Sequence, residues 1–108
     1  MVFIESKAFT KRISEFLADD ELAQIQADLA RTPMLGDVIR GTGGLRKLRI
    51  PDRGRGKGRR GGARVIYLHV PDRSHLHLLL AYGKDEQDDL AVEQRKQLRG
   101  IVARIKSA

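Results

Sequence analysis

Two stretches, ARVIYLHV (Ala63 to Val70) and HLHLLLAY (His75 to Tyr82), constrain this chain more than any other feature. Both are rich in side chains that pack on a pleated surface, with β-branched and aromatic residues dominating the first. PDRS (Pro71 to Ser74) joins them and carries turn chemistry, with proline and aspartate in favoured places. The pattern predicts an antiparallel hairpin over 63–82 that Gly83 ends. The rest of the chain has to be arranged around that hairpin.

Val2 to Ile4 is a short apolar run, read as a strand that pairs with a later one. Ser6 can cap a helix from Lys7 to about Ala18, where Phe9, Ile13, Phe16 and Leu17 form one stripe. Asp19, Asp20 and Glu21 form an acidic helix start, and Leu22, Ile25, Ala27 and Leu29 continue it until Pro33. These two helices read as a helical hairpin covering one face of a sheet. Met34 to Gly44 contains Gly36, Gly41, Gly43 and Gly44 and reads as a loop. Leu45, Leu48 and Ile50 are the apolar members of a strand that Pro51 closes. Asp88 and Asp89 can cap a last helix with the stripe Leu90, Leu98, Ile101, Val102 and Ile105. Gly100 weakens that helix by about 1 kcal/mol relative to alanine. The order β-α-α-β-β-β-α predicts an α+β fold: one domain over 1–108, with helices on one side of a small antiparallel sheet.

Charge is distributed unevenly. From Arg46 to Arg64 there are nine cations (Arg46, Lys47, Arg49, Arg53, Arg55, Lys57, Arg59, Arg60 and Arg64) against one acid, Asp52. That stretch carries +8, the whole chain +7, and the remainder therefore −1. A local positive surface of this kind is the footprint of a polyanion, and of nucleic acid in particular. Asp52 to Gly62, almost wholly glycine, arginine and lysine, reads as a hairpin connection whose glycines let backbone amides approach phosphate closely. No helix-turn-helix with a basic recognition helix is visible, which argues for RNA over DNA.

Other chemistries are disfavoured. The absence of cysteine removes disulfides and thiolate metal sites. His75 and His77 share a face, which permits metal binding, but no carboxylate stands at convincing ligand spacing to the histidines. Neither a metal nor another cofactor is expected. No apolar run approaches the roughly 18 residues of a membrane span, and MVFIESKAF is not laid out as a signal peptide. The expectation is a cytoplasmic protein with no membrane partner.

Cleavage of RNA by its own 2′-hydroxyl needs a base at that hydroxyl, charge stabilisation at phosphorus and an acid at the leaving 5′-oxygen. Lysine, tyrosine and arginine can fill these roles where a dense positive field lowers the lysine pKa. With a turn at 71–74, positions 64 and 82 lie near the same end of the hairpin, and the loop carrying Lys57 leads there. Arg64, Tyr82, Lys84 and Lys57 can therefore converge. The competing reading of the same residues is a non-catalytic basic RNA- or ribosome-binding protein. On it, Tyr82 is a strand aromatic and Lys84 a turn lysine. Asp85, Glu86, Asp88 and Asp89 read as helix-start charges.

At LGDVIRGTGGLRKLR, GGARVIY and YGKDEQDDL the chain resembles the RelE superfamily of toxins from bacterial toxin–antitoxin pairs, and the HigB-type toxins in particular. The resemblance runs over essentially the whole chain. It implies the same β-α-α-β-β-β-α order in a RelE-like microbial-ribonuclease fold. It also implies a metal-independent endoribonuclease that cuts translated mRNA in the ribosomal A site, arresting growth. A cognate antitoxin, commonly one with a helix-turn-helix, would block it, and operator DNA would be met only through that antitoxin. By position, Arg64 would contact the scissile phosphate and Lys57 would transfer a proton or stabilise charge. Tyr82 and Lys84, in YGK, would support them. RNA would be held by Arg46, Lys47, Arg49, Arg55, Arg59 and Arg60. The sequence departs from the best-known relatives in two places: Asp85 stands where they carry an arginine after GK, and about Ala91 where they carry a late tyrosine.

Overall fold

A computed structural model describes residues 1–51 and 62–108. In chain order it contains β1 (Val2–Glu5), α1 (Lys7–Ile13), α2 (Asp19–Arg31), β2 (Asp37–Val38), β3 (Arg46–Ile50), β4 (Ala63–Val70), β5 (His75–Gly83) and α3 (Val92–Ser107). A 3-10 turn over Pro71–Arg73 joins β4 to β5. The α+β class and the expected order of elements are present. The short strand β2 is added inside the stretch read as a loop.

The sheet has the order β1-β5-β4-β3-β2. Its centre is the expected hairpin, with β4 antiparallel to both neighbours, but β1 pairs with β5 in parallel, so the sheet is mixed. A second correction concerns the layers. Val65 and Tyr67 pack with Phe9, Ile13, Ile25 and Leu29 of α1 and α2, whereas Ile66 and Leu68 pack with Leu98 and Val102 of α3. Successive strand residues point to opposite faces, so the helices cover both sides. The reason lies in β4 itself, where every residue but His69 is buried. A strand that is apolar on both faces needs a cover on each.

The caps show how local sequence sets the helix ends. Ser6 Oγ accepts the Phe9 amide at 3.0 Å, the expected N-cap bond of α1. At α2 and α3 the N-cap is alanine, and the N3 side chain takes over: Glu21 accepts the Ala18 amide at 2.7 Å and Gln94 accepts the Ala91 amide at 2.9 Å. The last helix therefore starts at Val92, and Asp88 and Asp89 do not cap it. Gly36 is required by a close approach, since a Cβ there would lie 2.8 Å from Tyr67 Cε1 and 2.9 Å from the Lys47 carbonyl oxygen. The buried Tyr67 hydroxyl accepts the Gly36 amide at 2.8 Å and donates to the Pro33 carbonyl at 2.7 Å.

The hairpin register slips once. Tyr67 pairs with Leu78 but Ile66 pairs with Leu80, leaving Leu79 as an extra residue in β5. The Leu79 carbonyl accepts Ser6 Oγ–H at 2.7 Å, so one serine both caps α1 and holds the bulge. Without the slip, the count back from the turn would place Tyr82 opposite Ala63; with it, Tyr82 stands opposite Arg64. Ser6→Ala is therefore expected to lower unfolding free energy by about 1–3 kcal/mol, a cap plus a second side-chain hydrogen bond. Urea denaturation followed by circular dichroism checks this; a change near zero would show that the bulge needs no support from Ser6.

Candidate nucleic-acid interface and catalytic row

Three adjacent strands place one row of side chains across the α3-facing side of the sheet. Arg49 of β3 pairs with Arg64 of β4, and Arg64 pairs with Tyr82 of β5. Directly opposed residues share a face and lie within reach of one another. Lys47, two residues before Arg49, adds a fourth group on the same face, opposite Ile66. Arg64, Tyr82, Lys47 and Arg49 are thus brought together.

Burial gives this row its chemistry. Arg64 is only 8% and Tyr82 3% exposed, unusual values for groups able to bind phosphate. Among the described residues, the Arg64 Nε and Tyr82 Oη atoms are buried with no hydrogen-bond partner. Such orphaned polar atoms are costly and ask for an explanation. Burial pushes the Tyr82 phenol above its ordinary pKa, and Asp89 adds to the shift, while Arg64 and Arg49 oppose it. At neutral pH the phenol holds its proton, as an acid donating to a leaving oxygen must.

The acids after β5 are the residues that the sequence pattern misassigned. Asp88 Oδ1 lies 3.7 Å from Arg64 Nη2, Asp89 Oδ1 lies 2.5 Å from Lys47 Nζ, and Asp37 of β2 pairs with Arg49 Nη1. Lys47 holds the Asp89 carboxyl below its ordinary pKa. Far from being helix-start charges, Asp88 and Asp89 reach onto the row, and three cations meet three acids. The segment that carries them is tied down on both sides. Glu86 bonds the Gly83 amide and pairs with Arg12 of α1 at 2.6 Å, and Gln87 bonds Gln94 of α3 at 2.8 Å. Arg95, in the first turn of α3, also acts on Asp89, and its buried Nε lacks a partner among the described residues. It sits in no strand motif, so the sequence offered no signal for it.

The other candidates are placed differently. Arg46 lies on the opposite face and donates to the Gly36 carbonyl at 2.7 Å and the Met34 carbonyl at 3.4 Å, holding the chain before β2. Lys84 is exposed just past the end of β5, where its amide bonds the Gly62 carbonyl at 3.3 Å. Arg55, Lys57, Arg59 and Arg60 lie outside the described residues. Among the described residues, no group of three or more histidines, aspartates or glutamates is placed to hold a metal ion. No described helix is long and apolar enough to cross a membrane.

No family model matches the sequence. Solved structures do match the fold. One is a doubly substituted form of the E. coli toxin RelE in the free state, at a TM-score of 0.59 and 11% identity, covering 81% of this chain and 86% of that one. Another is the intact E. coli RelBE toxin–antitoxin complex, at a TM-score of 0.55 and 14% identity, covering 76% of this chain and 94% of that one. The chain has a RelE-like fold. At these identities the likeness is one of architecture, and the row described above has to carry the chemistry.

Asp88 and Asp89 are 85% and 63% exposed, and ion pairs so open to solvent are weak and screened by salt. Incoming phosphates can therefore replace them. Asp88→Asn with Asp89→Asn is expected to tighten binding of a single-stranded oligoribonucleotide several-fold at low salt, with the gain shrinking as salt rises. Fluorescence anisotropy reads this. Equal affinities at low salt would show that the two acids do not compete for the row.

Proposed function

We propose that this protein is the toxin of a toxin–antitoxin pair, of the HigB type, and cleaves translated mRNA in the ribosomal A site, in the cytoplasm. The observation that carries the reading is the Arg49–Arg64–Tyr82 row, set on a RelE-like fold in a chain whose 46–64 stretch is strongly basic in sequence. On this reading the RNA 2′-oxygen bonds to phosphorus as the bond to the 5′-oxygen breaks, giving a cyclic phosphate and a free 5′-hydroxyl. Arg64, assisted by Arg49, neutralises the charge that builds on the phosphoryl oxygens. Tyr82, kept protonated by burial, delivers a proton to the leaving oxygen. Lys57 takes the 2′-hydroxyl proton or shares the phosphate charge, a role that rests on sequence position alone. Lys47, Lys84, Arg55, Arg59 and Arg60 hold the RNA backbone. These steps need side chains only.

Asp37, Asp88 and Asp89 must give way for RNA phosphates to reach Arg49, Arg64 and Lys47. A cognate antitoxin would keep the protein silent by covering this surface or by holding these acids in place.

The burial of Tyr82 and Arg64 favours a second reading, a ribosome-binding protein without chemistry, in which the basic segment makes the contacts. Primer extension on ribosome-engaged mRNA separates the two. Wild type should cut within translated codons only when ribosomes are present. Arg64→Ala should lower the rate by about 100- to 1,000-fold, and Tyr82→Phe by about 100-fold or more, with ribosome binding retained in both. Ribosome binding without cuts by the wild type would establish the second reading. Full activity of Arg64→Ala would remove the row from the mechanism.

A further inference from the structure

A second group of basic side chains lies at the other end of β5. His75 and His77 pair with Val70 and Leu68 and so stand on the α3-facing side of the sheet. Their rings meet edge to face, with centroids 6.1 Å apart. Arg73 from the 3-10 turn and Arg104 from α3 close on the same place. Together with Ile4, Ile105 and Ala108 they line a concavity of about 470 Å³. Among the described residues, no acidic side chain lines it.

The four basic groups differ in how far they are committed. Arg73 donates to the carbonyls of Ile105 at 2.7 Å and Lys106 at 3.3 Å and also bonds the Ala108 oxygen. It fastens the end of α3 and leaves its charge at the rim. Arg104 is exposed, and its guanidinium has no hydrogen bond or ion pair among the described residues. His77 Nε2 is buried without a hydrogen-bond partner among the described residues, which a solvated basic surface does not require. Two imidazoles and two guanidiniums around one concavity are a donor set for a small tetrahedral oxyanion.

We propose that His75, His77 and Arg104, with Arg73 at the rim, form a phosphate-binding site distinct from the Arg49–Arg64–Tyr82 row. The two sites are separated by about 20 Å, the length of the β5 residues between them. Burial holds His77 below its ordinary pKa, and His75 and Arg73 push in the same direction. Among the described residues, the charged or titratable side chains that line the concavity with His77 are Arg73 from the turn, His75 from β5 and Arg104 from α3, while β1 contributes the apolar Ile4. A bound phosphate reverses the balance by favouring imidazolium, so binding takes up protons and tightens as pH falls. Ligands of both kinds carry the required group: a backbone phosphodiester of RNA, or a free phosphate or monoester.

Imidazole resonances of the ¹⁵N-labelled full chain, titrated with inorganic phosphate at constant ionic strength, test the site. Saturable shifts of both His75 and His77 are expected at about pH 6, with affinity falling at least about fivefold by about pH 8. Arg104→Gln, an exposed change, should weaken binding by a similar factor, while Arg64→Ala should leave it unaltered. No saturation at the lower pH would overturn the proposal. So would an affinity untouched by both Arg104→Gln and His77→Gln, which would place the phosphate elsewhere. A short single-stranded RNA that displaces phosphate from the two histidines would identify a backbone phosphate as the occupant. Phosphate saturation with those resonances indifferent to RNA would identify a free phosphate or monoester.

Discussion

The bulge at Leu79 is the constraint on which the candidate site depends. A strand has a side-chain period of two, so one extra residue transfers everything beyond it to the opposite face. His75 and His77 stand on the α3 side before the bulge, and Leu80 and Tyr82 stand there after it, although the two pairs are out of phase in sequence. Ala81, not Tyr82, then joins Val65 in the core beneath α1 and α2. The row across three strands exists because Leu79 is skipped. That skip is secured by Ser6, which reaches the bulge from the junction of β1 and α1.

A buried cation needs compensation, and the fold supplies it from outside the sheet. Arg64 and Lys47 have side chains only about a tenth exposed, whereas their partners Asp88 and Asp89 are mostly in solvent. The asymmetry matters. The cations are fixed by strands and packed on both sides, while the acids sit on a connection that solvent already bathes. On the proposed reading, stabilisation of the row is thus reversible, a phosphate taking the place of an acid while the strands hold the cations. The same burial keeps the Tyr82 phenol protonated. One environment therefore makes an arginine hungry for an anion and a tyrosine ready to donate.

Helix α3 links the two ends of this face. Its first turn carries Gln94 and Arg95 beside the acid segment, and its last turns carry Arg104 and the carbonyls that Arg73 holds. Along the same helix, Arg99 and Lys106 donate to the carbonyls of Gly41 and Gly43, docking the turn between β2 and β3 onto the helix. Gly43 takes a φ of +80°, in the left-handed region that glycine enters without the steric cost of a Cβ.

Much of the architecture is written in local sequence. The strands at 63–70 and 75–83 follow from β-branched and apolar composition, and the end of α2 follows from Pro33 and the Ser6 cap from its hydroxyl. These depend on interactions within a few residues, which a pattern can show. The sequence also determined the concentration of cations before Arg64, because charge is additive along a chain. What it could not decide were contacts between segments far apart in sequence. Only the tertiary structure set β1 parallel to β5, sent α3 to the face opposite α1 and α2, and turned Arg46 away from Lys47 and Arg49. Only it brought Asp88 to Arg64 and Asp89 to Lys47. The proximity of Tyr82 to Arg64 was expected from the turn, but their common face came from a single slipped residue. That slip has no signature in composition or periodicity, because it is held by a hydrogen bond from a serine 73 residues away.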